Sequence, residues 1–219
     1  MYVVITGINS MSKRLVTRLE GKHDVVVIDA DKDKCDRLYS SSGATVINKS
    51  PSTISALEDA GITKADVLIA SQKQDNDNMV VCSLAKKYGV PKVVTRVEDD
   101  EYLEAFQIIG ADPISHNDIL MSEFLSAVEH PYLVKLANIQ GDREIVKGSV
   151  RKNSKLVETE VSDLYGMKNF SEKFEVCAVI REEKTFVDEK DVELKEEDEL
   201  ILIGPENQKE KLNNFFQEQ

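Results

Sequence analysis

The sequence is poor in the residues that build disulfide frameworks, zinc sites and membrane spans. It contains three cysteines and no tryptophan. The cysteines (Cys35, Cys82 and Cys177) are scattered and no C-x-x-C occurs, so neither a disulfide framework nor a zinc site is expected. No apolar run approaches the roughly 20 residues that span a bilayer, so direct membrane insertion is not expected. The N-terminus enters a strand-like run without the features of a secretory signal, which predicts a cytoplasmic protein.

Positive charge is also scarce. The chain has 28 Lys and Arg against 40 Asp and Glu, which gives a formal net charge of −12. Nucleic acid is therefore not expected as a partner, because affinity for it comes largely from cations on phosphates. Adhesion to anionic lipid is disfavoured for the same reason. Docking to the basic cytoplasmic loops of a membrane protein stays open.

Catalytic and metal-binding motifs are missing as well. His23, His116 and His130 lie far apart, and no Walker loop, G-x-S-x-G, H-E-x-x-H or S-x-x-K occurs. The acidic run Glu98–Glu101 lacks the alternating ligand spacing of a calcium loop, so a solvated turn is the simpler interpretation. The sequence predicts neither a catalytic residue nor a metal site.

What the first half does contain is a regular alternation of strand-like and helix-like segments up to about residue 116. The strand-like runs are apolar on both faces, which is typical of a parallel sheet covered by helices on both sides. The predicted strands are Val3–Thr6, Val25–Asp29, Thr45–Asn48, Val67–Ala70, Val93–Val97 and Asp112–Ser115. The predicted helices are Met11–Glu20, Lys32–Ser41, Ser52–Ala60, Asn76–Tyr88, Asp100–Ile109 and Asn117–Glu129.

Beyond Pro131 the pattern changes to short β runs and acidic turns. Strands are predicted at Val146–Val150, Val176–Ile180 and Leu200–Ile203, followed by a helix over Glu206–Gln217. The sequence therefore predicts an α/β domain over residues 1–131 and a small α+β domain over residues 132–219.

The first strand-to-helix turn carries a broken dinucleotide-binding fingerprint. That fingerprint is G-x-G-x-x-G followed by an acid about 20 residues on. Gly7 stands in the first glycine position, but Asn9 and Ser12 replace the second and third. Asp29, 22 positions after Gly7, ends the second strand where a ribose-binding acid belongs. The pattern indicates the fold more strongly than it indicates the ligand.

Candidate binding residues collect at the carboxyl ends of the strands, where open α/β sheets bind ligands. Asp29 is expected to accept the ribose hydroxyls, with helix capping as the alternative. Arg96 is the cation that can meet a phosphate there, with a salt bridge to Glu98 as the alternative. The predicted nucleotide-binding residues are Gly7, Ile8, Asn9, Ser10, Met11, Asp29, Ala30, Asn48, Ser71, Asn78 and Arg96.

The order of motifs resembles the regulatory subunits of Trk/Ktr-type potassium uptake systems. These are RCK proteins (regulators of K⁺ conductance), with a Rossmann-like TrkA-N half and a small TrkA-C half. In the first half the resemblance rests on the Gly7 turn, Val27–Asp31 with Cys35, Ala44–Asn48, Leu57–Ile62, Ala65–Ala70, Asp75–Met79 and Ile109–Asp112. It continues through Glu129–Pro131, Gly148–Val150, Ala178–Arg181 and Asp198–Gly204.

This resemblance implies a homodimer, possibly assembled into an octameric ring beneath a membrane potassium transporter or channel subunit. It implies an adenine nucleotide in the first half (NAD or NADH, ATP or ADP, or AMP) and, in some relatives, cyclic di-AMP in the second. Ser10 stands where several ATP-responsive relatives carry arginine. In the family a helix corresponding to Asn117–Glu129 crosses to the partner subunit, so we expect its apolar face to be a dimer seam, with an ordinary helix packed on its own sheet as the alternative.

Three hypotheses follow. The first is a nucleotide-sensing regulatory subunit that gates potassium flow. The second, motivated by the altered Gly7–Ser12 loop, is a structural ring member without nucleotide binding in its first half, or a cyclic di-AMP sensor. The third is an NAD(P)-dependent oxidoreductase, which the lack of an evident proton donor disfavours.

Overall fold

The computed structural model describes residues 1–139, 141–167, 170 and 173–217. The chain divides into two compact units, residues 1–119 and 120–219. Each unit is described by itself, and the predicted domain boundary between residues 131 and 132 stays a prediction. In the part of the chain that the structure describes, no helix has the length and apolar character needed to cross a bilayer.

The first unit alternates strands and helices, as predicted. Its strands are β1 (Tyr2–Thr6), β2 (Asp24–Asp29), β3 (Thr45–Asn48), β4 (Val67–Ala70), β5 (Lys92–Val97) and β6 (Asp112–Ser115). Its helices are α1 (Ser10–Leu19), α2 (Lys32–Ser41), α3 (Ile54–Asp59), α4 (Asp75–Lys87) and α5 (Leu103–Ile108), and α6 (His116–Glu129) follows β6. Short 3₁₀ turns occupy Ile62–Lys64 and Asp100–Tyr102.

Two helices of this unit start later than predicted. The segment Ser52–Ala60 becomes helical only at Ile54, because Thr53 is the N-cap and its hydroxyl accepts a hydrogen bond from Ala56 N. The segment Asp100–Ile109 opens as a 3₁₀ turn capped by Asp99 and becomes α-helical at Leu103. The Thr53 cap, which the apolar periodicity does not report, sets the first of these starts.

All six strands of the first sheet are parallel, in the order β3-β2-β1-β4-β5-β6. Two apolar layers cover it. One contains Val16 of α1 and Leu38 of α2, and the other contains Leu57 of α3 and Phe106 of α5. This arrangement confirms the predicted parallel α/β sheet. The strand order reverses between β1 and β4, which places the crevice for a ligand beyond their carboxyl ends.

The second unit is built on a five-stranded antiparallel sheet in the order β10-β9-β11-β8-β7. Its strands are β7 (Leu133–Ile139), β8 (Arg143–Ser149), β9 (Glu175–Arg181), β10 (Lys184–Val187) and β11 (Glu199–Pro205), and its last helix is α7 (Lys209–Gln217). A 3₁₀ segment covers Val161–Gly166, and another 3₁₀ turn, Glu206–Gln208, precedes α7.

The sequence did not predict β7 and β10. Both are edge strands, and most of their side chains are exposed, so neither shows the apolar run or the clean alternation of a half-buried strand. The predicted strand Val146–Val150 is the second half of β8, and the predicted final helix begins three residues later than expected. The α+β class of this half is confirmed.

The core of the second unit combines phenylalanine rings with buried ion pairs. A Cβ added at Gly148 lies 2.4 Å from the Phe216 ring, and one added at Gly204 lies 2.5 Å from the Phe174 ring. Lys209 donates to the buried Glu144 Oε2 at 3.2 Å. Arg181 forms a two-pronged pair with the fully buried Asp198 at 2.7 and 2.8 Å. The absence of a side chain at Gly148 and Gly204 leaves space for the Phe216 and Phe174 rings.

Candidate functional site

A cleft of about 580 Å³ opens at the carboxyl edge of the first sheet, at the point where the strand order reverses. It is bounded by the turns that follow β1, β2, β3 and β4. Seven of the predicted binding residues line it: Gly7, Ile8, Asn9, Asp29, Ala30, Ser71 and Arg96. This is the position at which open α/β sheets bind their ligands.

Gly7 is required by the fold itself. Its φ is +88°, its N–H donates to Ile28 O at 2.9 Å, and a Cβ added to it lies 2.9 Å from Gln72 N. A side chain at this position therefore meets both a left-handed backbone and the backbone of the β4–α4 turn. The steric demand explains this glycine without any ligand.

Asn9 and Ser12, which replace the second and third glycines, form a reciprocal capping box at the start of α1. Asn9 Oδ1 accepts from Ser12 N at 3.0 Å, and Asn9 N donates to Ser12 Oγ at 2.8 Å. Asn9 Nδ2 also donates to Ser71 O at 2.7 Å, across the cleft floor. The altered glycine loop is thus a hydrogen-bonded structure of its own.

Asp29 is 9% exposed at the end of β2, and both of its oxygens accept backbone hydrogen bonds. Oδ2 accepts from Ile8 N at 2.5 Å, which fixes the β1–α1 turn, and Oδ1 accepts from Asp31 N at 2.7 Å. The N-cap of α2 is Asp31, whose carboxylate accepts from Lys34 N at 3.0 Å. Each Asp29 oxygen has a further lone pair that a ribose hydroxyl can use.

Ser71 and Asn78 are completely buried and shape the cleft from within. Ser71 Oγ lies 2.9 and 3.1 Å from the carbonyl oxygens of Thr6 and Gly7, which share its one donated proton. Asn78 Oδ1 accepts from Gln72 N at 2.9 Å, and its Nδ2 donates to Gln72 O and Arg96 O. Their polar atoms hold the β4–α4 turn, and Asn78 does not line the cleft.

Three further predicted residues do not line the cleft, whereas Arg96 does. Asn48 is exposed, and its Nδ2 donates to Asp29 O and Ala30 O at 3.1 and 3.0 Å, so it supports the β2–α2 turn from outside the cleft. Ser10 and Met11 lie in the first turn of α1 and line a separate shallow groove with Arg14, Leu15 and Arg18. Arg96 pairs with Glu98, the alternative that its sequence context raised.

Several cleft residues were not predicted. Lys34 of α2 is half-buried and pairs with Asp31 at 3.8 Å, whereas Lys73 of the β4–α4 turn is exposed, and both line the cleft. Gln72 Nε2 is buried without a hydrogen-bond partner among the described residues. The other unpredicted lining residues are Ser50, Pro51, Ser52, Gln74 and Asp77. Lys73 lies two residues beyond Ser71 in the same turn, so the strand-edge rule that selected Ser71 could also have selected Lys73.

The thiol beneath this edge is unreactive. Cys35 is buried and donates to Asp29 O at 3.4 Å. Burial raises the pKa of its thiol. Low-pKa, accessible thiols are the reactive ones, so Cys35 supports the β2–α2 turn and supplies no nucleophile.

Comparison with known proteins matches this fold to a family. The TrkA-N domain profile matches residues 3–117, the part of the chain that holds the sheet and the cleft. A Trk system potassium uptake protein TrkA homolog from Methanothermobacter thermautotrophicus is 31% identical over 167 residues, 75% of this chain and 77% of that protein. The chain belongs to the TrkA-N domain family.

Further relatives extend beyond the TrkA-N profile. The TrkA homolog from Archaeoglobus fulgidus is 26% identical over an alignment that covers 99% of this chain and 50% of that protein, so the chain spans about half of its length. The solved structure named "GsuK channel bound to NAD" covers 98% of this chain and 39% of its own, with a TM-score of 0.66 and 18% identity. This likeness shows that both halves of the TrkA-N protein share the fold of that solved chain.

Proposed function

We propose that this TrkA-N protein is a cytoplasmic, nucleotide-sensing regulatory subunit that gates a membrane potassium transporter or channel of the Trk/Ktr type, and that it is not an enzyme. The observation that carries the proposal is the cleft at the carboxyl edge of a TrkA-N sheet, with Asp29 on its wall. The names of the two relatives described above, both Trk system potassium uptake protein TrkA homologs, support the same role.

The proposed ligand is an adenine nucleotide (NAD or NADH, ATP or ADP, or AMP). Asp29 is the proposed ribose acceptor, because its oxygens stay within reach of the cleft after accepting from Ile8 N and Asp31 N. Lys34 and Lys73 supply positive charge on the same wall. The NAD named for the GsuK structure supports this class of ligand.

We propose that signalling passes through a homodimer, possibly within an octameric ring. Helix α6 has no buried residue among those described and exposes a continuous apolar surface. Its exposed apolar side chains are Ile119, Leu120, Met121, Phe124, Leu125 and Val128. A surface of this kind on a soluble helix is typical of a protein interface. Ligand binding can act on the transporter only if the dimer has two geometries and these bind the nucleotide with different affinity.

The dimer is tested by Phe124→Asp, which places a charge on the α6 surface. Sedimentation or light scattering should show a dimer or larger assembly for the parent protein and a monomer for the variant. Glu123→Lys, which changes charge at the neighbouring position, is the control and should leave the mass unchanged. A parent protein that is monomeric at micromolar concentration contradicts the seam.

A second candidate function is a structural ring member whose first half binds no nucleotide, or a cyclic di-AMP sensor in the second half. The capping box favours it, because Asn9 occupies the turn from which phosphates are normally bound. The third sequence-based hypothesis, an NAD(P)-dependent oxidoreductase, gains no support from the cleft, where no histidine lines the wall among the described residues.

The deciding experiment is a thermal-shift and calorimetric panel with AMP, ADP, ATP, NAD, NADH and cyclic di-AMP. Binding to the native state alone raises the melting temperature. The panel is repeated on Asp29→Ala and on Asp66→Ala. Asp66 also accepts a backbone N–H, from Tyr2 at 2.7 Å, but it precedes β4 at the opposite edge of the sheet. The control therefore loses a similar hydrogen bond far from the cleft.

A nucleotide response that disappears in Asp29→Ala and persists in Asp66→Ala supports the sensor. A response to cyclic di-AMP alone, in both variants, moves sensing to the second half. The gating role is measured as rubidium uptake by cells that make a Trk-type transport subunit, with and without this chain. Uptake that does not depend on the chain contradicts the regulatory role.

A further inference from the structure

In dinucleotide-binding folds, pyrophosphate lies against the N-terminus of the first helix, where unpaired backbone N–H groups and the helix dipole attract it. In this chain one backbone N–H at that end of α1 already has a side-chain acceptor. Asn9 Oδ1 accepts from Ser12 N at 3.0 Å, so a neutral side-chain oxygen takes one of the amides a phosphate oxygen would use. The second glycine of the fingerprint, which lets the ligand approach the backbone, is the same Asn9.

The Asn9 side chain is held at both ends. While Oδ1 caps α1, Nδ2 donates to Ser71 O at 2.7 Å, and Ser71 is fully buried between β1 and β4. To move aside for a pyrophosphate, Asn9 must break the cap and this second hydrogen bond together. Each lost hydrogen bond costs about 1 kcal/mol. Pyrophosphate is therefore disfavoured by the cost of breaking these bonds as well as by the space that the Asn9 side chain fills.

Positive charge in the site lies elsewhere. The first turn of α1 carries neutral Ser10 and Met11, while Arg14 and Arg18 line the separate groove on α1. The cleft wall itself presents Lys73, Lys34, which pairs with Asp31 at 3.8 Å, and Arg96, which pairs with Glu98. Asp29 ends β2 and is not part of α1, so a ribose held by Asp29 leaves its phosphate to the cations of the cleft wall.

We propose that the Asn9–Ser12 capping box makes this cleft select a nucleoside monophosphate and reject nucleotides that contain a pyrophosphate. This inference rests on the proposed function, namely that the cleft binds an adenine nucleotide. Within that function it names the ligand class and the residue that determines it.

The first test is calorimetry of the unmodified protein with AMP, adenosine, ADP and NAD. AMP should bind at least about tenfold more tightly than ADP and NAD, a difference of about 1.4 kcal/mol. ADP or NAD binding as tight as AMP overturns the selection while the proposed function stands. Adenosine binding as tight as AMP overturns the role of the phosphate. Absence of binding by all four sinks both proposals.

The second test opens the helix end with Asn9→Gly. Glycine is tolerated at an N-cap at a cost of a few tenths of a kcal/mol, so the variant should stay folded, which its melting curve verifies. ADP and NAD should then bind about tenfold more tightly than to the parent, since amides released from the cap become available. The matched control is Ser12→Ala, which removes the Ser12 hydroxyl but keeps the hydrogen bond from the N–H of residue 12 to Asn9 Oδ1. Its affinity for ADP and NAD should equal that of the parent. The proposal is overturned if Asn9→Gly does not bind ADP and NAD more tightly than the parent. It is also overturned if Ser12→Ala gains the same affinity.

Discussion

The two units bury their carboxylates differently. In the first, Asp29 and Asp75 accept backbone N–H groups from neighbouring turns: Asp75 takes those of Glu98 and Asp99 at 2.9 to 3.2 Å. In the second, Glu144 and Asp198 pair with the cations of Lys209 and Arg181. The first arrangement fixes turns at the carboxyl edge through backbone hydrogen bonds. The second neutralises charge within the fold.

The units also differ in how they form left-handed turns. Every described first-unit residue with positive φ is a glycine, at positions 7, 21, 61, 89 and 110. In the second unit such residues, apart from Gly141, are Asp142, Asn153, Glu158, Glu182, Asp188 and Glu197. Asn and Asp tolerate this conformation better than most residues, whereas glutamate does not share that advantage. The second unit therefore keeps backbone strain that the first avoids.

The largest expected effect comes from Lys209→Met. Removing the cation leaves the buried Glu144 carboxylate with Lys135 alone, whose Nζ is 3.9 Å away. Loss of one partner of a buried pair should lower the free energy of unfolding by about 3 kcal/mol. Urea denaturation measures it. Lys152→Met, which removes an exposed pair with Glu197, is the control and should change little. Equal losses would erase the distinction between buried and exposed charge.

The next effect sharpens the contrast in glycine use. Gly7→Ala combines a left-handed backbone with a Cβ 2.9 Å from Gln72 N and should cost about 2–3 kcal/mol. Gly21→Ala has a similar φ of +82° but nothing within 4 Å of the added Cβ, so it should cost only about 1 kcal/mol. Denaturation curves compare the two. If Gly7→Ala loses no more unfolding free energy than Gly21→Ala, the β4–α4 turn shifts to accommodate the added Cβ, which contradicts the prediction.

A pH effect is expected in the first unit from Cys82. Burial raises the pKa of this thiol from its ordinary 9.0 to about 11. Between these values the unfolded chain releases a proton that the folded chain keeps, so stability is complete below pH 9 and falls as the pH rises towards 11. The loss should reach roughly 1–2 kcal/mol. Denaturation at pH 8 and 10.5 measures it, and Cys82→Ala should flatten that part of the profile. An unchanged profile assigns the loss to other groups.

The smallest effect tests strain in the second unit. Glu182 has φ +52° in the turn between β9 and β10. Glu182→Gly removes the steric strain of the left-handed backbone but increases the chain entropy of the unfolded state. The net result should be a rise of about 0.5 kcal/mol in the free energy of unfolding. Glu183→Gly, at the next position without positive φ, gives only the entropic loss and should destabilise. The melting temperatures should move in opposite directions, and a shift in the same direction contradicts the strain.

The sequence was most informative where burial is complete. Apolar runs on both faces predicted the parallel sheet of the first unit, and the fingerprint position predicted a cleft wall with Gly7 and Asp29. It was least informative at β7 and β10, because exposed edge strands carry no burial pattern. At the cleft, a position in the first turn of a helix, where backbone amides favour an anion, suggested Asn78 as a ligand contact. Only the folded structure shows that its side-chain amide is already hydrogen-bonded to backbone atoms of Gln72 and Arg96.

The sequence by itself determined the layer architecture and the edge of the sheet at which a ligand belongs, because periodic burial and strand order follow from local pattern. It also determined that two glycines of the fingerprint are replaced. Only the tertiary structure decided what the replacements do. Asn9 reaches Ser12 N within its own turn, which sequence spacing allows, but it also reaches Ser71 O, 62 residues away along the chain. That second contact exists because parallel pairing brings the ends of β1 and β4 together.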